Sequence, residues 1–224
     1  MEEWYAYPLL IVVGFIVGFI NTVAGGGSLL SLPILIFLGL PSTLANGTNR
    51  VAVIFQTAIA TAGFKSKGVS TFPFNMYLGC SAFIGSIIGA NLAVDISGPL
   101  FNRILAVVVI CVVLIIAFGP KIGIKEVQER LTGKYLWLGI LAFFFFGIYG
   151  GFINAGVGFI IILFLHYINK MTLVRSNATK VAVVFMYMVS ALVVFAWNDQ
   201  VNWKIGLILA IGNDPQFKKF CQAA

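Results

Sequence analysis

Two short stretches of the sequence combine an asparagine with closely spaced glycines. The residues concerned are Asn21, Thr22, Gly25, Gly26, Gly27 and Ser28 in the first stretch, and Asn154, Gly156 and Gly158 in the second. Backbone N–H groups freed at glycine turns, amide and hydroxyl donors, and the positive ends of helix dipoles all suit a small oxyanion. We therefore predict that these residues bind an anionic substrate. The alternative is that the glycines only allow helices to pack closely.

Arg50 and Lys180 occupy matching positions before two similar segments, Val-Ala-Val-Ile-Phe and Val-Ala-Val-Val-Phe. We include both in the predicted substrate-binding set, because a basic side chain attracts an anion. The alternative is that they mark the starts of membrane helices, where Lys and Arg commonly extend toward lipid headgroups.

The segments that carry these residues are strongly apolar. Of the 224 residues, 60% are hydrophobic and 9% are charged, and the mean hydropathy is +1.03. Continuous apolar runs of helix-spanning length exclude a soluble domain and an outer-membrane barrel, whose strands alternate between apolar and polar residues. The net charge of +7 comes from Lys and Arg in short loops between the runs, so it indicates membrane topology rather than nucleic acid binding. The sequence therefore predicts an all-α polytopic membrane protein.

The apolar runs extend over about 7–23, 29–40, 51–64, 72–94, 100–118, 135–154, 159–167 and 181–197, and another begins near 203. The second and seventh runs are too short to cross a hydrocarbon core of ~30 Å. Each is expected to form a short helical hairpin with the run before it, and the glycine turn of each hairpin is expected to lie inside the membrane. The polar stretches 41–50 and 175–180 are expected to lead into the third and eighth runs.

Three matches recur in the same order in both halves of the chain. Gly18-Phe19-Ile20-Asn21 matches Gly151-Phe152-Ile153-Asn154, the segments after Arg50 and Lys180 match, and Leu78-Gly79 matches Ile205-Gly206. The matches predict a duplicated fold in two halves, each opening with a membrane-embedded hairpin. An odd number of runs in the first half predicts inverted topology for the second, which brings the two glycine turns together near the midplane. The basic loops place the N-terminus outside and the charged 119–134 loop in the cytoplasm.

No Asp or Glu falls in the middle of an apolar run. Cation carriers and proton pumps usually place a carboxylate there, so its absence favours an anion as substrate. His166 has no second ligand at a metal-binding spacing, and no nucleophile stands in a pattern with a base. We therefore predict no bound metal, no cofactor and no enzyme activity.

The motif Asn-x-x-x-Gly-Gly-Gly-Ser-x-x-x-x-Pro at 21–33, its echo at 154–158 and the lead-in at 46–50 resemble the sulfite exporter TauE/SafE family of membrane permeases. The resemblance extends over roughly 7–212. It implies an anion carrier, in many members linked to export of sulfite or small organosulfonates.

Four regions are predicted along the chain. They are a first repeat at 1–118, a cytoplasmic connecting loop at 119–134, a second repeat at 135–212 and a non-family tail at 213–224. The second repeat is expected to be truncated, because the sequence becomes polar after Gly212, where the first half continues into a fifth run.

The sequence thus predicts a multi-pass permease of the cell membrane that moves a small anion, sulfite or an organosulfonate-type anion, by alternating access. The alternative is a non-transporting membrane partner or assembly subunit. The expected partners are the anionic substrate and the lipid bilayer, with no nucleic acid, and a homo-oligomer is compatible with the sequence.

Overall fold

The computed structural model describes residues 6–23, 25–118 and 128–212, and within them every regular element is an α-helix. The helices are α1 Ala6–Val23, α2 Ser28–Phe37, α3 Ser42–Ser66, α4 Phe74–Asp95, α5 Gly98–Phe118, α6 Lys134–Phe152, α7 Val157–Tyr167, α8 Leu173–Trp197 and α9 Trp203–Gly212. The predicted all-α class is confirmed. The expected tail at 213–224 and most of the expected loop at 119–134 lie outside the described residues.

Four of the described helices, α4, α5, α6 and α8, are long and apolar enough to cross a membrane. By contrast α2 and α7 have 10 and 11 residues. At 1.5 Å per residue these two reach only roughly 15 to 17 Å, about half of the hydrocarbon core. Each follows a longer helix across a glycine turn, so α1–α2 and α6–α7 are the two short hairpins that the run lengths predict.

The polar stretches 41–50 and 175–180 lead directly into the third and eighth runs, because each stretch and its run belong to one helix. Both are the first turns of long helices, because α3 already begins at Ser42 and α8 at Leu173. Arg50 is fully buried and Lys180 is 2% exposed, so neither charge extends to the headgroups. Their polar groups find partners on the neighbouring hairpins instead, as described below.

Small residues join α4 to α6 along much of their length. A Cβ atom at Gly85 of α4 would lie 2.1 Å from the carbonyl oxygen of Phe144, and one at Gly147 of α6 would lie 2.2 Å from that of Ala82. No side chain fits at either place, so the backbones approach closely, as they do in membrane helix pairs of the small-xxx-small type. This pair supports α8, which packs against both α3 and α4.

We predict that Gly147→Val destabilises the protein, because the added methyl groups would have to displace the backbone of α4. Overpacking of this kind costs about 2 kcal/mol, which corresponds to a fall of roughly 5 °C in unfolding temperature. Thermal unfolding of the purified protein in detergent measures it. Gly139→Ala on the same helix is the control, since its Cβ would meet only the Cδ2 tip of Leu78, at 3.0 Å. Equal unfolding temperatures for the two variants would contradict the close α4–α6 contact.

Candidate functional site

The two glycine turns are in direct contact at Gly25 and Gly158. A Cβ atom at Gly25 would lie 2.5 Å from the carbonyl carbon of Gly158, and one at Gly158 would lie 2.6 Å from the Cα of Gly25. Gly25 also has a φ of +75°, which disfavours any residue with a side chain. Both positions therefore require glycine.

A small cavity lies beside this contact, with a volume of about 10 Å³, room for about one water molecule. Six of the eleven residues predicted to bind substrate line it, namely Asn21, Thr22, Gly25, Asn154, Gly158 and Lys180. The remaining lining residues are Gln56, Thr57, Ala60, Val181, Val184 and Tyr187. The cavity is thus enclosed by both hairpins and by the two long helices α3 and α8.

On the α1 side, Gln56 of α3 fixes the polar groups at the wall of the cavity. Its Nε2 donates to the carbonyl oxygen of Gly18 at 2.6 Å and to Oγ1 of Thr22 at 3.0 Å. Its Oε1 accepts from Nδ2 of Asn21 at 2.8 Å. One buried glutamine therefore sets the orientation of both polar side chains that end α1.

On the α6–α7 side, Asn154 is held in the same manner. Its backbone has a φ of +48°, a conformation that asparagine tolerates better than most residues. Its Oδ1 accepts from the Tyr187 hydroxyl at 2.7 Å, and its Nδ2 donates to Oγ of Ser28 at 3.1 Å. Asn154 therefore links α8 to the start of α2, across the two hairpins.

Lys180 extends from α8 to the C-terminal end of α1. Its Nζ donates to the carbonyl oxygens of Asn21 at 3.0 Å and Thr22 at 3.2 Å, and Nδ2 of the nearby Asn177 also donates to Thr22, at 2.9 Å. The last carbonyls of a helix have no partner within the helix and carry the negative end of its dipole. Lys180 thus caps α1 while its side chain lines the cavity.

Arg50, the matching residue of the first half, caps the other hairpin. Its guanidinium donates to the carbonyl oxygens of Gly150 and Gly151 and lies over the ring of Phe195, with Cζ 4.5 Å from the centroid. Nδ2 of Asn46 donates to the next carbonyl, that of Phe152, at 2.7 Å. Arg50 does not line the cavity, so of the two predicted cations only Lys180 does.

The other predicted site residues lie next to the cavity without lining it. Ser28 accepts hydrogen bonds from Asn49 and Asn154. A Cβ at Gly27 would lie 2.6 Å from the carbonyl oxygen of Val17, and one at Gly156 would lie 2.6 Å from Cγ1 of Val112, so close packing accounts for both glycines. A Cβ at Gly26 would meet the Cδ1 atom of Leu29 at 3.3 Å, a contact with the tip of a flexible side chain.

Sequence reasoning missed Gln56 and Tyr187 as parts of the site. Gln56 carried a usable signal, because it is the one glutamine inside an apolar run. Tyr187 carried none, since aromatic residues are frequent in this chain and most of them only pack. Its role follows from the position of Asn154 in the folded protein.

The charge around the cavity is positive. Among the described residues, all carboxylates lie at helix ends or in connections, at Asp95, Glu129 and Asp199, and Glu129 pairs with Arg175 at 2.8 Å. Arg50 and Lys180 have hydrogen bonds only to neutral groups in the described part of the chain. Burial of a cation without a counter-ion is costly. The N-terminal end of α7 adds to this potential, since Gly158 of its first turn lines the cavity.

Residues 10–213 of the chain match the protein family described as Sulfite exporter TauE/SafE. The chain belongs to this family. The resemblance that the glycine motifs suggest is thereby confirmed, and the match includes both hairpins and both capping cations of this TauE/SafE protein.

Curated relatives of this TauE/SafE chain are named as transporters. A probable membrane transporter protein of Haemophilus influenzae is 29% identical over 205 residues, which cover 92% of the chain and 80% of the relative. The probable membrane transporter protein YfcA of Escherichia coli is 28% identical over 209 residues, which cover 92% of the chain and 77% of the relative. No solved structure matches the chain. Family and relatives together support a multi-pass membrane transporter.

The geometry predicts that Arg50→Met destabilises the protein whether or not substrate is present. Loss of the guanidinium leaves the buried carbonyls of Gly150 and Gly151 without a donor, at a cost of about 3 kcal/mol and a fall of roughly 6 °C or more in unfolding temperature. Thermal unfolding in detergent tests this. Arg103→Met is the matched control, because Arg103 is exposed on α5. If both variants unfold at the same temperature, the capping role of Arg50 is wrong.

Proposed function

We propose that this TauE/SafE protein moves a small oxyanion, sulfite or an organosulfonate, by alternating access, and that the cavity at the Gly25–Gly158 contact is its substrate site. The observation that carries the proposal is Lys180, a buried cation that lines the cavity and bonds only to neutral groups in the described part of the chain. An anion in the cavity would supply the missing negative charge.

The surrounding donors suit an oxyanion with several acceptor oxygens. Asn21 and Asn154 present amide groups from opposite sides, and Thr22 and Tyr187 present hydroxyls. Each currently bonds to a protein partner, so binding would exchange these bonds for bonds to the anion at little net cost. The amides of Asn21 and Asn154 would then hold the substrate between the two hairpins.

The small size of the cavity indicates that the site must open before a substrate can bind. Room for about one water molecule does not accommodate sulfite, so the hairpins must separate from α3 or α8 for substrate to enter. Beside the cavity the two hairpins meet through glycines and side-chain hydrogen bonds, an interface that could open from either side. The predicted inverted repeat supplies the symmetry for such an alternation.

We predict that Lys180→Gln lowers anion flux at least about tenfold, because loss of one charge-assisted contact to the anion costs about 1.4 kcal/mol or more. Glutamine keeps donors for the carbonyls of Asn21 and Thr22, so the variant should remain folded. Uptake of labelled sulfite, thiosulfate and sulfoacetate into proteoliposomes of the full-length protein measures the flux. Arg103→Gln removes one exposed positive charge that does not line the cavity and serves as the control. Equal flux in the two variants would refute the assigned role of Lys180.

The contact between the two glycine turns provides a second test, which distinguishes a transport role of the turns from a purely structural role. Gly158→Ala places a methyl group 2.6 Å from the Cα of Gly25 and forces the hairpins apart. We expect this variant to reach the membrane folded, as judged by monodisperse elution in detergent, and to lose most sulfite flux. If glycine substitutions here remove folded protein in proportion to lost activity, the turns serve packing only and a non-transporting partner becomes the better assignment.

A further inference from the structure

A second and larger cavity, of about 410 Å³, lies toward the C-terminal end of α3 and the N-terminal end of α8. The end of α3, the connection to α4, the first turn of α4 and the first turns of α8 form its walls. We call this cavity the vestibule, and the smaller one at Lys180 the inner cavity. Neither the family description nor the names of the relatives assign it a role.

The vestibule and the inner cavity are successive parts of one groove between α3 and α8. On α3, Thr57 and Ala60 line the inner cavity, whereas Thr61 and Phe64 line the vestibule. Positions three and four residues apart share a helix face, so these side chains form one continuous stripe. On α8, Lys180 and Val181 line the inner cavity, and Ala178 and Ala182 line the vestibule.

A small apolar cluster has side chains that line both cavities. Ala60 is 1% exposed and Val181 is 2% exposed, and the partly buried Phe64 packs against them. Ala60 and Val181 face the inner cavity, and Phe64 faces the vestibule. We call these three residues the gate.

The lining of the vestibule suits a hydrated anion. Lys65 is the one charged residue among the described residues that line it, and Ser70, Thr71 and Asn75 add hydroxyl and amide groups. Oδ1 of Asn75 is buried and has no hydrogen-bond partner among the described residues, as expected for a polar atom that bonds to water in the cavity. Oγ1 of Thr71 lies 2.9 Å from Oγ1 of Thr179, the residue before Lys180, so the connection is tied to α8 beside the inner cavity.

We propose that the vestibule admits a small hydrated oxyanion from the Lys65 face of the membrane and that Ala60, Phe64 and Val181 are the hydrophobic gate between it and the inner cavity. The proposal rests on the proposed function for the identity of the ligand. Its geometric part, a water-filled path closed by three apolar side chains, stands on the two cavities and the apolar cluster that lines both.

Thiol accessibility tests the vestibule in the full-length protein with Cys80, Cys111 and Cys221 replaced by serine. Thr61→Cys should react with the anionic, membrane-impermeant reagent sulfonatoethyl methanethiosulfonate from the same face as Lys67→Cys in the adjoining loop. Thr61→Cys should react about threefold faster, or more, with this anionic reagent than with the cationic trimethylammonium reagent. This ratio of rates should fall when Lys65→Gln is added. Phe55→Cys, on the outer face of the same helix, is the unreactive control. Reaction as slow as that of Phe55→Cys, or only from the opposite face, overturns the vestibule.

The gate is tested by a reporter on its inner side. Thr57→Cys should react slowly with the anionic reagent, and Val181→Ala should accelerate that reaction about tenfold by opening the apolar barrier. Val183→Ala is the matched control, since Val183 is fully buried on the same helix and lines neither cavity. Equal acceleration by both variants, or none, overturns the gate.

These readouts do not depend on transport. Labelling of Thr61→Cys with no anion flux would support the vestibule and count against the proposed function. Sulfite flux with no labelling from the Lys65 face would overturn the vestibule and leave the proposed function standing.

Discussion

The structure depends on hydrogen bonds to the last carbonyl groups of α1 and α6, the two helices that end at the glycine turns in an apolar environment. In a bilayer no water is present to solvate these groups, so each needs a donor from the protein. Lys180 of α8 supplies it to α1, and Arg50 of α3 supplies it to α6. Each cation comes from one half of the sequence and caps the hairpin of the other half. The same contacts therefore hold the glycine turns, the long helices and the two halves together.

The two caps have different surroundings despite their matching positions. Arg50 is enclosed by Phe195 and the α6 carbonyls, and its planar guanidinium is suited to several acceptors at once. Lys180 has a compact charge with fewer fixed partners and faces the cavity. Under the proposed function, this asymmetry makes Arg50 a structural cation and Lys180 the cation that contacts the substrate.

The helix pattern could be predicted from the sequence, because run lengths and the bilayer thickness determine it closely. The all-α class, both short hairpins and the family followed from the glycine motifs and apolar runs. The sequence left open whether Arg50 and Lys180 bind an anion or extend toward lipid headgroups, because their buried carbonyl partners lie on helices far away in the chain. Tyr187 joined the site through a tertiary contact that local sequence does not encode, whereas Gln56 had a signal as the one glutamine inside an apolar run. Topology, the repeat inversion and the site assignment stay predictions.

The central claim is that an oxyanion binds between the two glycine turns beside Lys180. An experimental structure of the full-length protein in lipid nanodiscs, determined with selenite as a heavier analogue of sulfite, tests it most directly. The account predicts density for the anion within hydrogen-bonding distance of Lys180 and of the amides of Asn21 and Asn154, in a cavity wider than the one described. Density at Arg50 or outside the α3–α8 groove, with the Gly25–Gly158 cavity unchanged, would contradict it.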